Sequence, residues 1–291
     1  LGGEIESLPL LRRLTFTAGI QIERLDNRLL THQEVVTSAL ERGRHDTETV
    51  WGFRFGTGIE VAEGVRFKAH RGRYQRPPNF FELFGDRGSV VGNPDLASER
   101  GEKWDVGLDM RNMLGGVVRR GEVVYYRNSI DDLIRFVQST QQVSQPYNID
   151  ETSLSGVETR FNIRFGSRFS VGSNYVYQRA RSRAPFSYER GNDLPNAPRH
   201  RFGLDLSASW SGSGFRYSFN RESRSFIDRA NLNPVPARSV HGIAIDIPLI
   251  EGASITMEVR NLGNNQIADV WGYPLPGRSY FVSVALDRTS E

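Results

Sequence analysis

Apolar and polar residues alternate along most of this chain. Within 14–23 the even positions are apolar from Leu14 to Ile22, and most odd positions are polar. A period of two is typical of a strand with one apolar and one polar face. The same period recurs in the stretches 51–61, 65–74, 102–111, 157–165, 169–177, 202–210, 215–222, 243–247, 255–259 and 280–286. The stretch 117–128, where the alternation is less regular, is counted as a further strand. The pattern therefore predicts about twelve strands of about ten residues each, which is long enough to cross a bilayer at a tilt.

The predicted connections alternate between short and long. The short ones fall at Glu63, Gly115, Gly166, Gly212 and 248–252. The long ones fall at 26–47, 75–98, 138–150, 181–198, 228–236 and 263–277. Short turns on one side and long loops on the other are typical of barrels in the bacterial outer membrane. A soluble β-sandwich remains the alternative.

The alternation also predicts which way side chains point in one antiparallel meander. We expect these apolar residues to face lipid: Phe53, Phe55, Leu204, Leu206, Ile243 and Ile245. We expect these charged residues to face a watery lumen: Arg54, Glu158, Arg160 and Glu258. A slip of one residue in register would reverse both sets.

Composition removes several classes of protein. The 291 residues are 38% hydrophobic, and no apolar run approaches the ~18 residues of a transmembrane helix. Cysteine is absent, which excludes disulfides and thiolate chemistry. The net charge of +3 is too small for a nucleic-acid partner.

No catalytic or metal-binding constellation can be read from the residues. The five histidines lie on different segments without the spacing of a metal site. The carboxylates Asp95, Asp131 and Asp132 have no recognisable Ser/His/Asp partners. The sequence therefore predicts a protein that is not an enzyme and holds neither metal nor cofactor.

The stretch 73–101 reads RYQRPPNFFELFGDRGSVVGNPDLASERG. Its prolines and glycines predict a long loop with fixed turns and without helix or strand. Loops of this length are uncommon in compact domains unless they are functional or disordered. A second dense stretch, Val-Arg-Asn-Leu at 259–262 followed by Tyr-Pro-Leu-Pro-Gly-Arg at 273–278, precedes the last strand.

Together these two stretches resemble the signature of TonB-dependent outer-membrane receptors. The residues that carry the resemblance are Arg76, Pro77, Glu82, Leu83, Gly92, Asn93, Pro94, Leu96, Glu99, Asn261, Leu262, Pro276, Gly277 and Arg278. The resemblance implies an all-β, antiparallel, up-and-down transmembrane barrel in the outer membrane of a Gram-negative bacterium. It also implies active uptake of a scarce nutrient, such as a ferric siderophore, cobalamin or a glycan-like ligand. A structural or docking barrel that has lost transport is the alternative function.

The resemblance further implies partners and a domain layout. Receptors of this family enclose a plug in a barrel of about 22 strands. We therefore expect residues 1–12 to be a periplasmic-side lead-in and 13–291 to be a partial barrel without plug. The implied partners are the remaining strands and plug of the same receptor, the TonB energy-transducing complex acting through that plug, and outer-membrane lipid with lipopolysaccharide.

Ligand contacts are expected from basic and aromatic residues in the long loops. The candidates are Arg76, Phe80, Phe81, Arg87, Tyr147, Trp271 and Tyr273. For the aromatic residues two alternatives stay open, because they can stack on a ligand or pack the loops together.

Two architectures also stay open. The strands at 14–23 and 280–286 either pair with each other in a closed barrel or remain the edges of an open segment. We expect the open segment, because the motifs come from a wider barrel.

Overall fold

The structure is a computed structural model that describes residues 2–6, 13–28, 45–85, 90–138, 143–183, 189–250, 252–266, 268–270 and 273–286. In chain order its elements are β1 (Gly2–Glu6), β2 (Leu14–Arg28), β3 (His45–Ala62), β4 (Val65–Arg76), α1 (Phe80–Phe84), β5 (Glu99–Met113), β6 (Val118–Gln138), β7 (Ser144–Phe165), β8 (Phe169–Ser182), β9 (His200–Trp210), β10 (Ser213–Glu222), β11 (Ser225–Phe226), β12 (Pro234–Val235), β13 (Arg238–Ile250), β14 (Ala253–Arg260), β15 (Ala268–Val270), β16 (Tyr273–Pro274) and β17 (Ser279–Leu286).

Thirteen of these strands form one sheet in the order β1-β2-β3-β4-β5-β6-β7-β8-β9-β10-β13-β14-β17. Each strand pairs antiparallel with its neighbour, so the predicted meander is confirmed. The pairs β11–β12 and β15–β16 are separate small hairpins in the connections. Within the thirteen-stranded sheet, the strand that the alternation did not predict is β1, which lies within the expected lead-in 1–12. The four short strands of the small hairpins were also not predicted.

The sheet is open. Among the described residues β1 pairs only with β2, and β17 pairs only with β14. No ladder joins 14–23 to 280–286 there, which confirms an open segment. The edge on the N-terminal side is β1, so the expectation that 14–23 forms that edge was wrong.

Several strands extend beyond the predicted bounds. The stretch 138–150 was expected to be a loop, but β7 begins at Ser144, and β6 and β7 reach 21 and 22 residues. In their upper parts the alternation that marks a strand is lost, because apolar residues lie on both faces, as the neighbours Leu133 and Ile134 show. The loop at 73–101 was expected to hold no helix, and α1 corrects this with a single turn of five residues.

The two predicted sets of side chains lie on opposite faces. Directly opposed residues of an antiparallel pair share a face. One such row, Leu206, Tyr217, Ile243 and Val259, crosses four strands. This side of the sheet is called the apolar face.

The other side, called the polar face, is rich in paired charges. His70 Nδ1 lies 2.8 Å from Asp105 Oδ2, and Arg216 Nη2 lies 3.2 Å from Asp246 Oδ1. Lys68 pairs with Glu122 across Gly107. In the described part of the chain no helix is long and apolar enough to cross a membrane.

The connections separate the two ends of the sheet. The short-turn end carries the turns at 63–64, 114–117, 166–168, 211–212 and 251–252. The long-loop end carries the connections at 29–44, 77–98, 139–143, 183–199, 223–237 and 261–278. The one buried apolar cluster that the described residues form lies at the long-loop end and contains Ile149, Ala180, Leu194 and Ala197.

Candidate functional site

The connection between β4 and β5 folds back on itself around α1. Asn79 caps this helix, because its Oδ1 accepts a hydrogen bond from the Glu82 backbone N at 2.9 Å. Glu82 returns the contact, since its Oε2 accepts from the Asn79 backbone N at 2.8 Å. This reciprocal capping box satisfies two backbone donors at the start of the turn. The Asn-x-x-Glu spacing at 79–82 is the sequence pattern that indicates this capping box.

Arg76, the last residue of β4, holds two buried carboxylates. Its Nε donates to Glu99 Oε2 at 2.7 Å, and its Nη1 donates to Glu82 Oε2 at 2.9 Å. Glu82 and Glu99 are only 6% and 5% exposed. The hydrogen bond that Arg76 donates to Glu99 is the main cause that raises the pKa of Arg76. Glu99 Oε1 also accepts from the Ile134 backbone N at 2.7 Å, which ties the triad to β6.

Gly92 allows the two arms of this connection to touch. A Cβ at this position would lie 2.4 Å from both Leu83 O and Phe84 N, a distance that real Cβ atoms do not adopt. Next to it, the Asn93 backbone N donates to Glu82 O at 2.9 Å, and Asn93 Nδ2 donates to Pro146 O at 3.0 Å. The Gly-Asn pair therefore closes the connection and fastens it to β7.

Asn148 fastens the same connection to β7, a role that the sequence did not predict. Its Oδ1 accepts from the Ala97 backbone N at 2.9 Å. Its Nδ2 donates to Ala97 O at 3.0 Å and to Asp132 O at 2.7 Å. One asparagine in a stretch predicted as loop gives no signal for such a role, because its partners are distant in sequence.

The next two connections interlock with each other. Asn231 Nδ2 donates to Asp193 O at 2.8 Å, and the Asp193 backbone N donates to Asn231 Oδ1 at 2.9 Å. Arg229 pairs with the buried Glu189 at 2.5 Å. Arg135, whose pKa is lowered mainly by burial, donates from Nη2 to Pro195 O at 2.6 Å. This bond connects β6 to the connection at 183–199.

The predicted aromatic contacts lie on the outside of this layer. Phe80 is 77% exposed, and its ring centroid lies 4.6 Å from that of Phe84. Phe81 stands 5.7 Å from Phe136, and Tyr147 Oη donates to Gln145 at 2.6 Å. Phe80 and Phe84 therefore form an exposed aromatic pair above the capped turn.

Three predicted contacts cannot be placed in this way. Arg87, Trp271 and the side chain of Tyr273 lie outside the described residues. The Arg76 donors are engaged by the carboxylates of Glu82 in the connection and of Glu99 at the start of β5. Ligand binding by these residues stays a prediction.

The first motif thus has a folding role at its described positions. Arg76, Glu82, Gly92, Asn93 and Glu99 all contact the folded-back connection or the strands beside it. The remaining members line its turns: Pro77 and Leu96 are half-buried, Pro94 is exposed, and Leu83 carries the carbonyl that Gly92 approaches.

The second motif fixes the turn after β14 in the same manner. Asn261 adopts a left-handed φ of 51° and is 6% exposed. Its Nδ2 donates to Asn265 O at 2.9 Å and to Pro276 O at 3.4 Å. The Arg278 backbone N donates to Asn264 Oδ1 at 3.0 Å, and a Cβ on Gly277 would meet that same oxygen at 2.7 Å. Leu262 is exposed, and its backbone N donates to His241 O.

Three of the histidines, His70, His200 and His241, pair with aromatic or acidic neighbours. Tyr175 Oη lies 2.9 Å from His200 Nδ1, and Tyr217 Oη lies 2.7 Å from His241 Nδ1. His70 contacts Asp105. Within those ranges no group of His, Asp or Glu side chains is arranged to hold a metal ion. The site therefore consists of an interlocked loop layer with exposed aromatic rings.

Comparison with known proteins gives one family. A family model described as "TonB dependent receptor-like, beta-barrel" matches residues 6–262. The copper transporter OprC has a similar structure, with a TM-score of 0.75 and 15% identity over 99% of this chain and 47% of that chain. The siderophore receptor PiuA from Acinetobacter baumannii is also similar, with a TM-score of 0.76 and 14% identity over 95% of this chain and 41% of that chain.

A third similar structure is the ferric yersiniabactin uptake receptor FyuA from Yersinia pestis. It gives a TM-score of 0.72 and 13% identity over 97% of this chain and 44% of that chain. At these identities the similarity establishes the fold alone. The chain spans less than half the length of each of these three structures.

Proposed function

This chain belongs to the TonB-dependent receptor β-barrel family, and from that premise we propose that it is the C-terminal barrel portion of a receptor for active nutrient uptake. The observation that carries the proposal is the open thirteen-stranded sheet with one apolar and one charged face. In the proposed arrangement the apolar face contacts outer-membrane lipid, and the long-loop end faces the outside of a Gram-negative cell.

The polar face is proposed to surround the plug of the same receptor. Its charges are arranged in pairs such as His70–Asp105 and Arg216–Asp246. Paired charges next to a watery lumen avoid the large desolvation cost that isolated charges meet in a dry interior. The remaining strands would pair with the backbone groups of β1 and β17, since open edges are not tolerated in hydrocarbon. The plug would provide contact with the TonB energy-transducing complex.

The loop layer is proposed to hold the nutrient on the outside. The Phe80–Phe84 pair offers apolar surface on a turn fixed by the Arg76 triad. Rigid aromatic side chains on a preorganised support bind with a small ordering cost. The ligand class is a scarce nutrient carrier such as a ferric siderophore, cobalamin or a glycan-like molecule. The similarity to PiuA, a siderophore receptor, and to FyuA, a ferric yersiniabactin uptake receptor, supports the first of these.

Transport in cells tests the proposal. The full-length gene is expressed in a strain that lacks its own copy, and the accumulation of radiolabelled iron is measured with a panel of ferric siderophores, alongside labelled cobalamin and glycans. We expect accumulation of one class, abolished by a protonophore because uptake is energised through the inner membrane. Surface binding of a partner with no accumulation of any nutrient would instead support the docking function.

A further inference from the structure

The apolar face contains a cavity of about 640 Å³ at its border with the long-loop end. Its floor is the register row Tyr175, Phe202 and Arg221, which crosses β8, β9 and β10 on one face. Residues 234–237 of the connection before β13 form the opposite wall. The cavity therefore opens on the outside of the barrel wall, away from the polar face and from the Phe80–Phe84 pair.

The walls of this cavity are mostly apolar. Phe202, Val235 and the prolines of the connection supply carbon surface. His200 also lines it and is held in place, because its Nδ1 lies 2.9 Å from Tyr175 Oη and its backbone N donates to Ser223 Oγ at 3.1 Å. Such a built apolar slot suits a hydrocarbon chain, since apolar surface leaves water with a gain of about 25 cal/mol per Å².

Two cations flank this apolar surface. Neither the Arg221 nor the Arg224 guanidinium forms a hydrogen bond or ion pair with another described residue, and both are exposed. Neighbouring arginines differ, since Arg229 pairs with Glu189 and Arg238 pairs with Glu222. Unengaged guanidinium groups beside an apolar slot match an anionic head group, and phosphate accepts their planar donors in pairs.

The position of the cavity along the membrane normal agrees with a lipid head group as its ligand. Strand β10 has ten residues and begins at the short-turn end, with Arg221 as its penultimate residue. At about 3.3 Å per residue and a tilt of about 40°, such a strand rises about 25 Å, which is the height of the apolar band of an outer-membrane barrel. Arg221 therefore lies at the level of the outer-leaflet head groups, and the slot beneath it at the level of acyl chains.

Other arginines extend the positive charge along this border of the apolar face. The register row that contains Phe55 continues through Arg71, Trp104, Arg127, Ser155 and Arg179. This row alternates cations with aromatic or small side chains and contains no carboxylate. The border as a whole is thus suited to an anionic leaflet.

We propose that the cavity binds one phosphorylated acyl lipid of the outer leaflet, with a chain against Phe202 and Val235 and a phosphate held by Arg221 and Arg224. The inference rests on the proposed placement of the barrel in the outer membrane. It concerns a second ligand, distinct from the transported nutrient.

Native mass spectrometry of the full-length receptor in detergent tests this site, with bisphosphorylated lipid A as the probe. The Arg221→Gln/Arg224→Gln double variant should bind it at least about tenfold more weakly, because two charge-assisted contacts are lost. Arg164→Gln is the matched control. Arg164 is an exposed arginine near the short-turn end of the polar face, and its replacement should leave binding unchanged. A resistant, heat-modifiable barrel band on gels establishes that each variant is folded, and the single Arg224→Gln change in the connection should give a smaller loss.

Dephosphorylated lipid of the same acyl composition is the second probe. The unmodified receptor should bind it about as weakly as the double variant binds lipid A, and the double variant should show no further loss. Phe202→Ala should weaken both lipids alike. Equal binding of the two lipids, or equal loss in Arg164→Gln, would overturn the proposal, as would saturation of the site by inorganic phosphate alone. Nutrient uptake in the same cells separates the two proposals: uptake without lipid binding rejects only this inference, and lipid binding without uptake rejects only the transport function.

Discussion

Arg76 and Glu99 are directly opposed partners where β4 and β5 meet the loop layer, and the Arg76 guanidinium Nε donates to Glu99 Oε2 at 2.7 Å. The ladder between the two strands thus ends in an ion pair. Because Glu82 joins the same guanidinium, one arginine neutralises two carboxylates that are almost completely buried. Together with the contacts of Asn93 and Asn148 to β7, this cation attaches the connection at 77–98 to the barrel wall.

Replacing Arg76 should therefore loosen the connection without unfolding the barrel. Arg76→Gln leaves two buried carboxylates without their cation. Removing one partner of a buried ion pair destabilises the folded state by about 3 kcal/mol. Hydrogen exchange in the full-length receptor should show faster exchange of the Ile134 and Asn93 amides, by about 100-fold. Arg100→Gln is the control, because Arg100 is exposed and forms no ion pair with other described residues. Unchanged exchange at Ile134 in Arg76→Gln would show that the triad does not hold the connection.

A methyl group at Gly92 should separate the two arms of the same connection. The Cβ of Gly92→Ala would lie 2.4 Å from Leu83 O, so the backbone must move, at a cost of about 1–3 kcal/mol. Limited proteolysis of the folded receptor should cut 77–98 faster. Gly172→Ala is a matched glycine change in a strand, where the new Cβ meets its nearest neighbour, Asp205 Cβ, at an ordinary 3.7 Å. If both variants resist protease equally, close approach at Gly92 is not required.

The exposed ring of Phe80 should contribute to nutrient binding and little to stability. Phe80→Ala removes about 2 kcal/mol of apolar contact from a ligand that covers the ring, which corresponds to about 30-fold weaker binding. The measurement is the half-saturating concentration for uptake of the nutrient identified in the transport assay. Leu232→Ala removes an equally exposed side chain, also 77%, from another connection and should have no effect. Equal behaviour of the two variants contradicts a ligand role for Phe80 and favours loop packing.

Fluorophores attached to single cysteines can report which face of the sheet contacts lipid. The chain contains no cysteine, so Leu206→Cys and Asp205→Cys can be introduced separately into a full-length background without other cysteines. A fluorophore attached at Leu206→Cys should be quenched by spin-labelled lipid, because Leu206 lies on the apolar face. A fluorophore at Asp205→Cys should be quenched by water-soluble iodide. The reverse pattern would mean that the register is shifted by one residue.

The sequence predicted the architecture well where one face of a strand is apolar. In β9 and β13 the alternation of Leu204, Leu206, Ile243 and Ile245 places the strand, its faces and its register together. The meander and the open edge of the sheet followed from strand lengths, loop alternation and motif resemblance. These features depend on local contrast between the two faces, which a single sequence carries.

The prediction failed where that contrast disappears. The upper parts of β6 and β7 are held by ladder pairing and by contacts such as Asn148 to Ala97, and apolar residues such as Leu133 and Ile134 lie on both faces. Strand β1 has a short Gly-Gly-Glu-Ile-Glu sequence and exists because it pairs with β2. The roles of Asn148 and Asn231 depend on partners more than 30 residues away, Ala97 and Asp193, which no local pattern reveals.

The interlocked connections have a mechanical consequence. Asn93 and Asn148 fasten the connection 77–98 to β7, and Arg135 fastens β6 to the connection 183–199. Asn231 then fastens the connection 223–237 to 183–199. A force applied at Phe80 is therefore transmitted across six strands through stiff hydrogen-bonded links instead of being absorbed by one slack loop. The loop layer should therefore move as one rigid unit, so that a displacement of 77–98 also displaces 223–237.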